Sequence, residues 1–198
     1  MKSVAALLSF LAFPIAEASE IAPVGLEPAV QQLRAAVGTW NVETTQYADD
    51  GAVARVACGT YRFDWVVPDR VLAGRSEIPD WKQASGILFY VNERRSTIEM
   101  ASVGADGHLW VMSGPAGSEI RTTPPTPTSD GGTMQIRFTR FNVTPDRFES
   151  RMEVSTDGGA NWKPGNRQVF KRAAPEASGS AGVGLRYRRR PQPYVPLT

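Results

Sequence analysis

Leu26-Glu27-Pro28-Ala29-Val30-Gln31-Gln32-Leu33-Arg34-Ala35-Ala36-Val37-Gly38-Thr39-Trp40 is the stretch on which the fold turns. Val30, Leu33 and Val37 share one face of a helix, Pro28 suits its first turn, and Gly38 can end it. Past Gly38 the helical period disappears. Up to Arg172 the chain reads as strand-like runs separated by turn pairs such as Asp50-Gly51, Pro68-Asp69, Asp106-Gly107 and Asp157-Gly158, spaced about 10 to 20 residues apart as antiparallel hairpins are. About ten strands result: Thr39–Tyr47, Val53–Val67, Arg70–Ile78, Gly86–Glu93, Thr97–Val103, His108–Ser113, Glu119–Thr123, Thr133–Val143, Arg147–Ser155 and Arg167–Arg172. The predicted class is all-β, with a nearest-neighbour meander as the simplest topology.

Working outward, Arg147-Phe148-Glu149-Ser150-Arg151-Met152-Glu153-Val154 alternates strictly, with Phe148, Met152 and Val154 on the dry face and charges on the wet one. Ile87-Leu88-Phe89-Tyr90-Val91 and Leu109-Trp110-Val111-Met112 are instead apolar on both faces. Such strands call for cover on both sides, by the helix, a ligand cavity or a partner subunit. The helix before Gly38 is the expected cover.

A short helix running into Gly38-Thr39-Trp40 and a β meander resembles the lipocalin-like, or calycin, barrels, and more closely the exported bacterial domains of that class. The likeness spans Leu26 to Arg172. It implies a single closed up-and-down barrel in which Gly38 and Trp40 are structural, the tryptophan plugging the closed end under an arginine from a late strand, Arg167 or Arg172. Closure implies an interior that is either filled by side chains or holds one small ligand. Phe63, Trp65, Phe89, Trp110 and Met112 are the expected lining, chosen for size and strand position.

The termini differ from this body. Lys2, the apolar run from Val4 to Ile15 and the triplet Ala16-Glu17-Ala18 form an export signal, residues 1–18, pointing to a periplasmic or secreted protein; the run is shorter than the roughly 20 residues of a membrane span. Residues 19–172 are the expected barrel domain. Residues 173–198 open as a Gly/Ser/Pro linker and end in Leu-Arg-Tyr-Arg-Arg-Arg-Pro, which reads as a disordered basic tail. The formal charge of +2 is carried there: four arginines against Glu176 make the tail +3 and leave the body at −1. A body without a basic field is no specific nucleic-acid binder, and four tail charges support only weak contact with anionic surfaces. Cys58 is the sole cysteine, so no internal disulfide exists, and a buried, inert thiol is the expectation. Oligomeric state is not legible.

Several residues invite chemistry. Ser155-Thr156-Asp157-Gly158-Gly159-Ala160-Asn161-Trp162 resembles the Asp-box, Ser-x-Asp-x-Gly-x-x-Trp, of sialidase propellers. A single copy makes no propeller, so Asp157 and Trp162 are assigned to structure. His108 is the only histidine. One histidine cannot build a zinc site, and no metal is expected. It could serve as an axial haem ligand, as in lipocalin-like haem-binding barrels of the nitrobindin type, although their histidine lies later in the chain. Otherwise no cofactor is expected. After a two-residue Asp106-Gly107 turn, His108 would lie opposite Ala105 at the barrel rim, Trp110 opposite Val103 and Met112 opposite Ala101. Asp64 and Glu99 lie within strands, and an inward carboxylate could move protons. The proline-rich stretch from Arg121 to Gly132 is either a flap over the mouth or a solvated loop.

Together these features lead to an exported barrel that binds a small, largely apolar ligand. The alternatives are a small-molecule isomerase, cyclase or lyase using Glu99, Asp64 or His108, and a surface-interaction protein acting through its basic tail. The mature chain is expected to begin at Ser19. N-terminal sequencing of protein from its own host checks this, and a cytoplasmic chain still carrying Met1 would overturn export.

Overall fold

The computed structural model describes residues 26–128 and 131–174; the expected export signal at 1–18 and all but residues 173–174 of the expected linker and tail at 173–198 lie outside them. Helix α1 (Glu27–Ala36) precedes eleven strands: β1 (Gly38–Tyr47), β2 (Val53–Val67), β3 (Val71–Ile78), β4 (Gln83–Asn92), β5 (Thr97–Gly104), β6 (Leu109–Pro115), β7 (Ile120–Thr122), β8 (Thr126–Pro127), β9 (Thr133–Phe141), β10 (Arg147–Ser155) and β11 (Lys163–Arg172). Antiparallel neighbours run β1 through β7, then β9, β10 and β11, and β11 returns to pair with β1. Ten strands therefore close a barrel. The short β8 is a two-residue ribbon on β9, so the proline-rich connection extends a hairpin, and of its described residues only Arg121, at its start on β7, lines the interior.

Closure follows from alternation. On β1 the residues Trp40, Val42 and Thr44 are buried while Asn41 and Glu43 between them are exposed, and β11 answers with buried Gln168 and Phe170. Trp40, Leu72 and Ile98 reach zero exposure and pack with Leu33 and Ala36 of α1 and with Phe148 and Phe170, whose rings stack at 4.1 Å. The helix thus stoppers one end of the barrel, tethered by Arg34, which donates to both carboxylate oxygens of Asp69 in the β2–β3 turn at 2.8 and 2.7 Å.

The joint between stopper and wall is Gly38-Thr39-Trp40. Gly38 has φ +118°, and a Cβ there would lie 2.7 Å from Nη1 of Arg172, so both backbone and space demand glycine. The Trp40 indole donates to Ala36 O at 2.8 Å. Arg172, opposite Trp40 in the ladder, lays its guanidinium 4.2 Å from the indole centre and donates to Val37 O at 2.8 Å, to Ala35 O at 3.4 Å and to Pro145 O at 2.9 Å. Of the two arginines considered, it is Arg172 that covers the tryptophan. Arg167 instead bonds the buried Glu149 carboxylate between β10 and β11.

Three expectations change. The two-faced apolar strands β4 and β6 turn Ile87, Phe89, Trp110 and Met112 inward, but their outer faces are uncovered: Leu88, Tyr90, Leu109 and Val111 are exposed, and α1 closes the barrel end rather than covering them. Cys58 is exposed, because Ala57, Phe63 and Trp65 set the inner parity of β2 and position 58 falls on the other face. The β5–β6 hairpin carries a three-residue loop, Ala105-Asp106-Gly107, closed by Gly104 N to His108 O at 3.1 Å and Gly107 N to Gly104 O at 2.9 Å. That extra residue slips the register by one, so Trp110 faces Ser102 and Met112 faces Met100, while Val103 moves outside.

Replacing Arg172 by methionine should lower stability by about 1–3 kcal/mol, since three carbonyls lose a charged donor. Urea titration checks this: the midpoint should fall at unchanged slope, and a change under roughly 0.5 kcal/mol would remove Arg172 as the tie between helix and wall.

A cavity with a buried arginine in its wall

Between the stoppered end and the opposite rim the side chains do not fill the barrel. A cavity of about 330 Å³ remains, at the small end of the range for ligand sites. Gln32, Leu33 and Ala36 of α1 form its floor, and Asp106 and His108 of the β5–β6 loop stand at its mouth. The wall between is apolar and polarisable, from Ile87 and Phe89 on β4, Met100 on β5, and Trp110 and Met112 on β6. Alternation alone puts these side chains on one face.

The strand β2 face carries Phe63 and Tyr61. Burial pushes the Tyr61 hydroxyl above its ordinary pKa, partly offset by the Gln168 amide, which donates to Tyr61 Oη at 2.8 Å and to Thr44 Oγ1 at 3.1 Å. Tyr61 is therefore a neutral phenol held in a side-chain network. Asn166 also lines the cavity, and its buried Oδ1 has no partner among the described residues.

Two arginines complete the wall near the helix. Arg140, 7% exposed, forms a two-pronged ion pair with Glu119 at 2.7 and 2.9 Å and donates to Gln32 O at 3.0 Å. Arg121, 4% exposed, donates to Gln32 Oε1 at 3.3 Å and forms no ion pair with any described residue. Burial, reinforced by the field of Arg140 and opposed by that of Glu119, lowers its pKa to about 10. It stays charged at neutral pH. Sequence reading missed both arginines. The available signal was parity: Phe138 and Arg140 share the inner face of β9, and Arg121 stands opposite Phe138.

Of the lining expected from sequence, Phe63, Phe89, Trp110 and Met112 face the cavity, but Trp65 packs beyond it in the core at the helix end. His108 is exposed at the mouth, its ring 4.5 Å from that of Trp110 and its backbone N–H on Asp106 Oδ1 at 3.0 Å. Neither candidate carboxylate reaches the interior. Asp64 is exposed outside and pairs with Arg62 at 2.7 Å. Glu99 is buried at 6% exposure but lies between Tyr90 and Ser113 on the outer face of β5, accepting from Thr97 Oγ1 at 2.8 Å. Each has inward neighbours at i±1, Phe63 and Trp65 or Ile98 and Met100, so strand geometry sends it out. Among the described residues no group of three or more His, Cys, Asp or Glu side chains is placed to hold a metal ion.

The Asp-box is a self-contained turn at the open end. Asp157 accepts from Asn161 N at 2.9 Å, Asn161 Nδ2 at 2.7 Å and Ser155 Oγ at 2.8 Å; Trp162 Nε1 caps Gly159 O at 2.9 Å, and Arg137 covers the indole at 4.2 Å.

No protein-family model matches the chain, and no curated protein is similar to it. Among solved structures it is similar to the S-type phycobiliprotein lyase of Guillardia theta (12% identity, 75% of this chain and 94% of that one, TM-score 0.46). It is also similar to a redesigned β-barrel (15%, 72% and 95%, 0.38) and to the redesigned β-barrel mFAP1 bound to DFHBI (16%, 71% and 97%, 0.36). The likeness goes no further than a barrel.

The hydrogen bonds from Asn161 and Ser155 hold the Asp157 carboxyl at a pKa of about 2 against an ordinary 3.8. The depressed value favours the ionised form in the folded state, so its contribution is present above about pH 4 and is lost as pH falls toward 2. Thermal unfolding of Asp157→Asn should therefore be less steeply pH-dependent across that window than wild type; equal slopes would show that this carboxylate does not stabilise the turn.

Proposed function

We propose that this protein is an exported, lipocalin-like carrier that takes one small, largely apolar molecule into its barrel. The carrying observation is the cavity of about 330 Å³ between the α1 stopper and the open end, walled by Phe89, Trp110, Met100 and Met112. Apolar area withdrawn from water there favours binding by roughly 25 cal/mol per Å², and the sulfur and aromatic side chains adapt to varied shapes. Export is part of the reading through Lys2, the run Val4–Ile15 and Ala16-Glu17-Ala18. Carriage is preferred to catalysis because the two strand carboxylates, Asp64 and Glu99, lie outside the cavity. No cofactor enters this reading.

Ser102 faces Trp110 across the ladder near the mouth and lines the cavity, so Ser102→Trp should fill the entrance. Fluorescence titration with the neutral probe N-phenyl-1-naphthylamine should show binding to wild type and a loss of about tenfold or more in the variant, equivalent to about 1.4 kcal/mol. Circular dichroism confirms the fold. Unchanged affinity would place the probe on the exposed Leu88–Val111 face and remove the cavity as the site.

A further inference from the structure

Arg121 stands in the cavity wall without a counter-charge among the described residues. Its strand β7 approaches β6 closely at Gly114, where a Cβ would run into Ile120 O and come within 3.1 Å of Arg121 Cγ. The inner wall is thus cut back where the arginine enters. Buried guanidinium groups are ordinarily paired, because an isolated charge in a low-dielectric interior loses its hydration. Glu119 does not pair with it, since both of its carboxylate oxygens bond Arg140. Arg121 keeps a neutral amide acceptor, Gln32 Oε1 at 3.3 Å, and its buried Nε has no partner among the described residues. Arg121, Arg140 and Glu119 together leave one positive charge at the helix end of the cavity. The one acid among the described lining residues, Asp106, is at the opposite end, beside His108.

We propose that the molecule carried is a monoanionic amphiphile, a carboxylate on an apolar body, whose head is received by Arg121 beside Gln32 while its body lies along Phe89, Met112 and Trp110 toward the mouth. This rests on the small-ligand reading above. One net positive charge matches one carboxylate, and a planar guanidinium presents parallel N–H groups that fit its two oxygens. A phosphate dianion would leave a negative charge in excess. The cavity equals about eleven waters at roughly 30 Å³ each, which suits a chain of about ten carbons rather than a long lipid. The Arg121 charge at the helix end and the apolar β4–β6 wall also fix the orientation, head inward.

The test is displacement of N-phenyl-1-naphthylamine from the full chain by decanoate, decanol and acetate, in wild type, Arg121→Met and Arg121→Lys. Wild type should prefer decanoate over decanol by about tenfold to hundredfold, the range of a charge-assisted buried contact. Arg121→Met should erase that preference while leaving decanol unchanged, and Arg121→Lys should keep part of it. Methionine removes an unpaired buried charge without opening a large void, so the variant folds, and its melting temperature should hold or rise. Equal displacement by decanol and decanoate in wild type, or a preference that survives in Arg121→Met, would overturn the assignment of the head while leaving the carrier reading intact. Acetate as effective as decanoate would reduce the site to a simple anion site and overturn the amphiphile. A wild-type protein that binds neither probe nor alkyl ligands would overturn both readings.

Discussion

The stack of Arg172 on Trp40 is the contact on which the remaining architecture depends. It joins three parts of the chain that are far apart in sequence: the end of α1 through the carbonyls of Ala35 and Val37, the first strand through the indole, and the last strand through Arg172 itself. The β1–β11 ladder that closes the barrel and the stopper at its end therefore meet at a single point. An arginine suits this role better than a lysine, because its flat face covers the ring while its edges reach separate carbonyls. Without the stopper, the hydrophobic residues around Leu72 and Ile98 would meet water, and the cavity would be an open tube.

Charge is managed differently inside and outside the wall. Outside, Glu149 is hemmed by Arg147 and Arg167, and Glu153 by Arg137 and Arg151, so these two acids are neutralised within the sheet. Inside, Arg140 is neutralised by Glu119, and Arg121 alone is left without an acid among the described residues. Of the two arginines in the cavity wall only this one is left open among the described residues, and an unpaired charge in a cavity lowers stability unless a ligand completes it.

Most of the barrel was legible from sequence because its information is local. Strict alternation on β10, turn pairs between runs, and Gly38-Thr39-Trp40 after an amphipathic turn of helix all report within a few residues of themselves. What was not legible depended on counting across a turn or between strands. The Asp106-Gly107 pair suggested a two-residue turn, but Asp106 caps His108 N within a longer loop, and one residue changed every partner of β6. The carboxylates Asp64 and Glu99 and the thiol of Cys58 could have been placed outside by applying to their strands the parity already given by Phe63, Trp65 and Met100. Arg121 was hidden for another reason: on a three-residue strand, alternation has too few repeats to show which face is dry.

The shortness of β7 has a mechanical side. It is joined to β6 through the single register pair Ser113 with Thr122, whereas β5 and β6 share seven. Local opening is least costly where ladder hydrogen bonds are fewest, so this seam is the barrel's softest line. The uncompensated cation is stitched into that same line. A molecule binding Arg121 from within would clamp the seam as well as fill the space, and the tightness of the wall and the occupancy of the interior would rise and fall together.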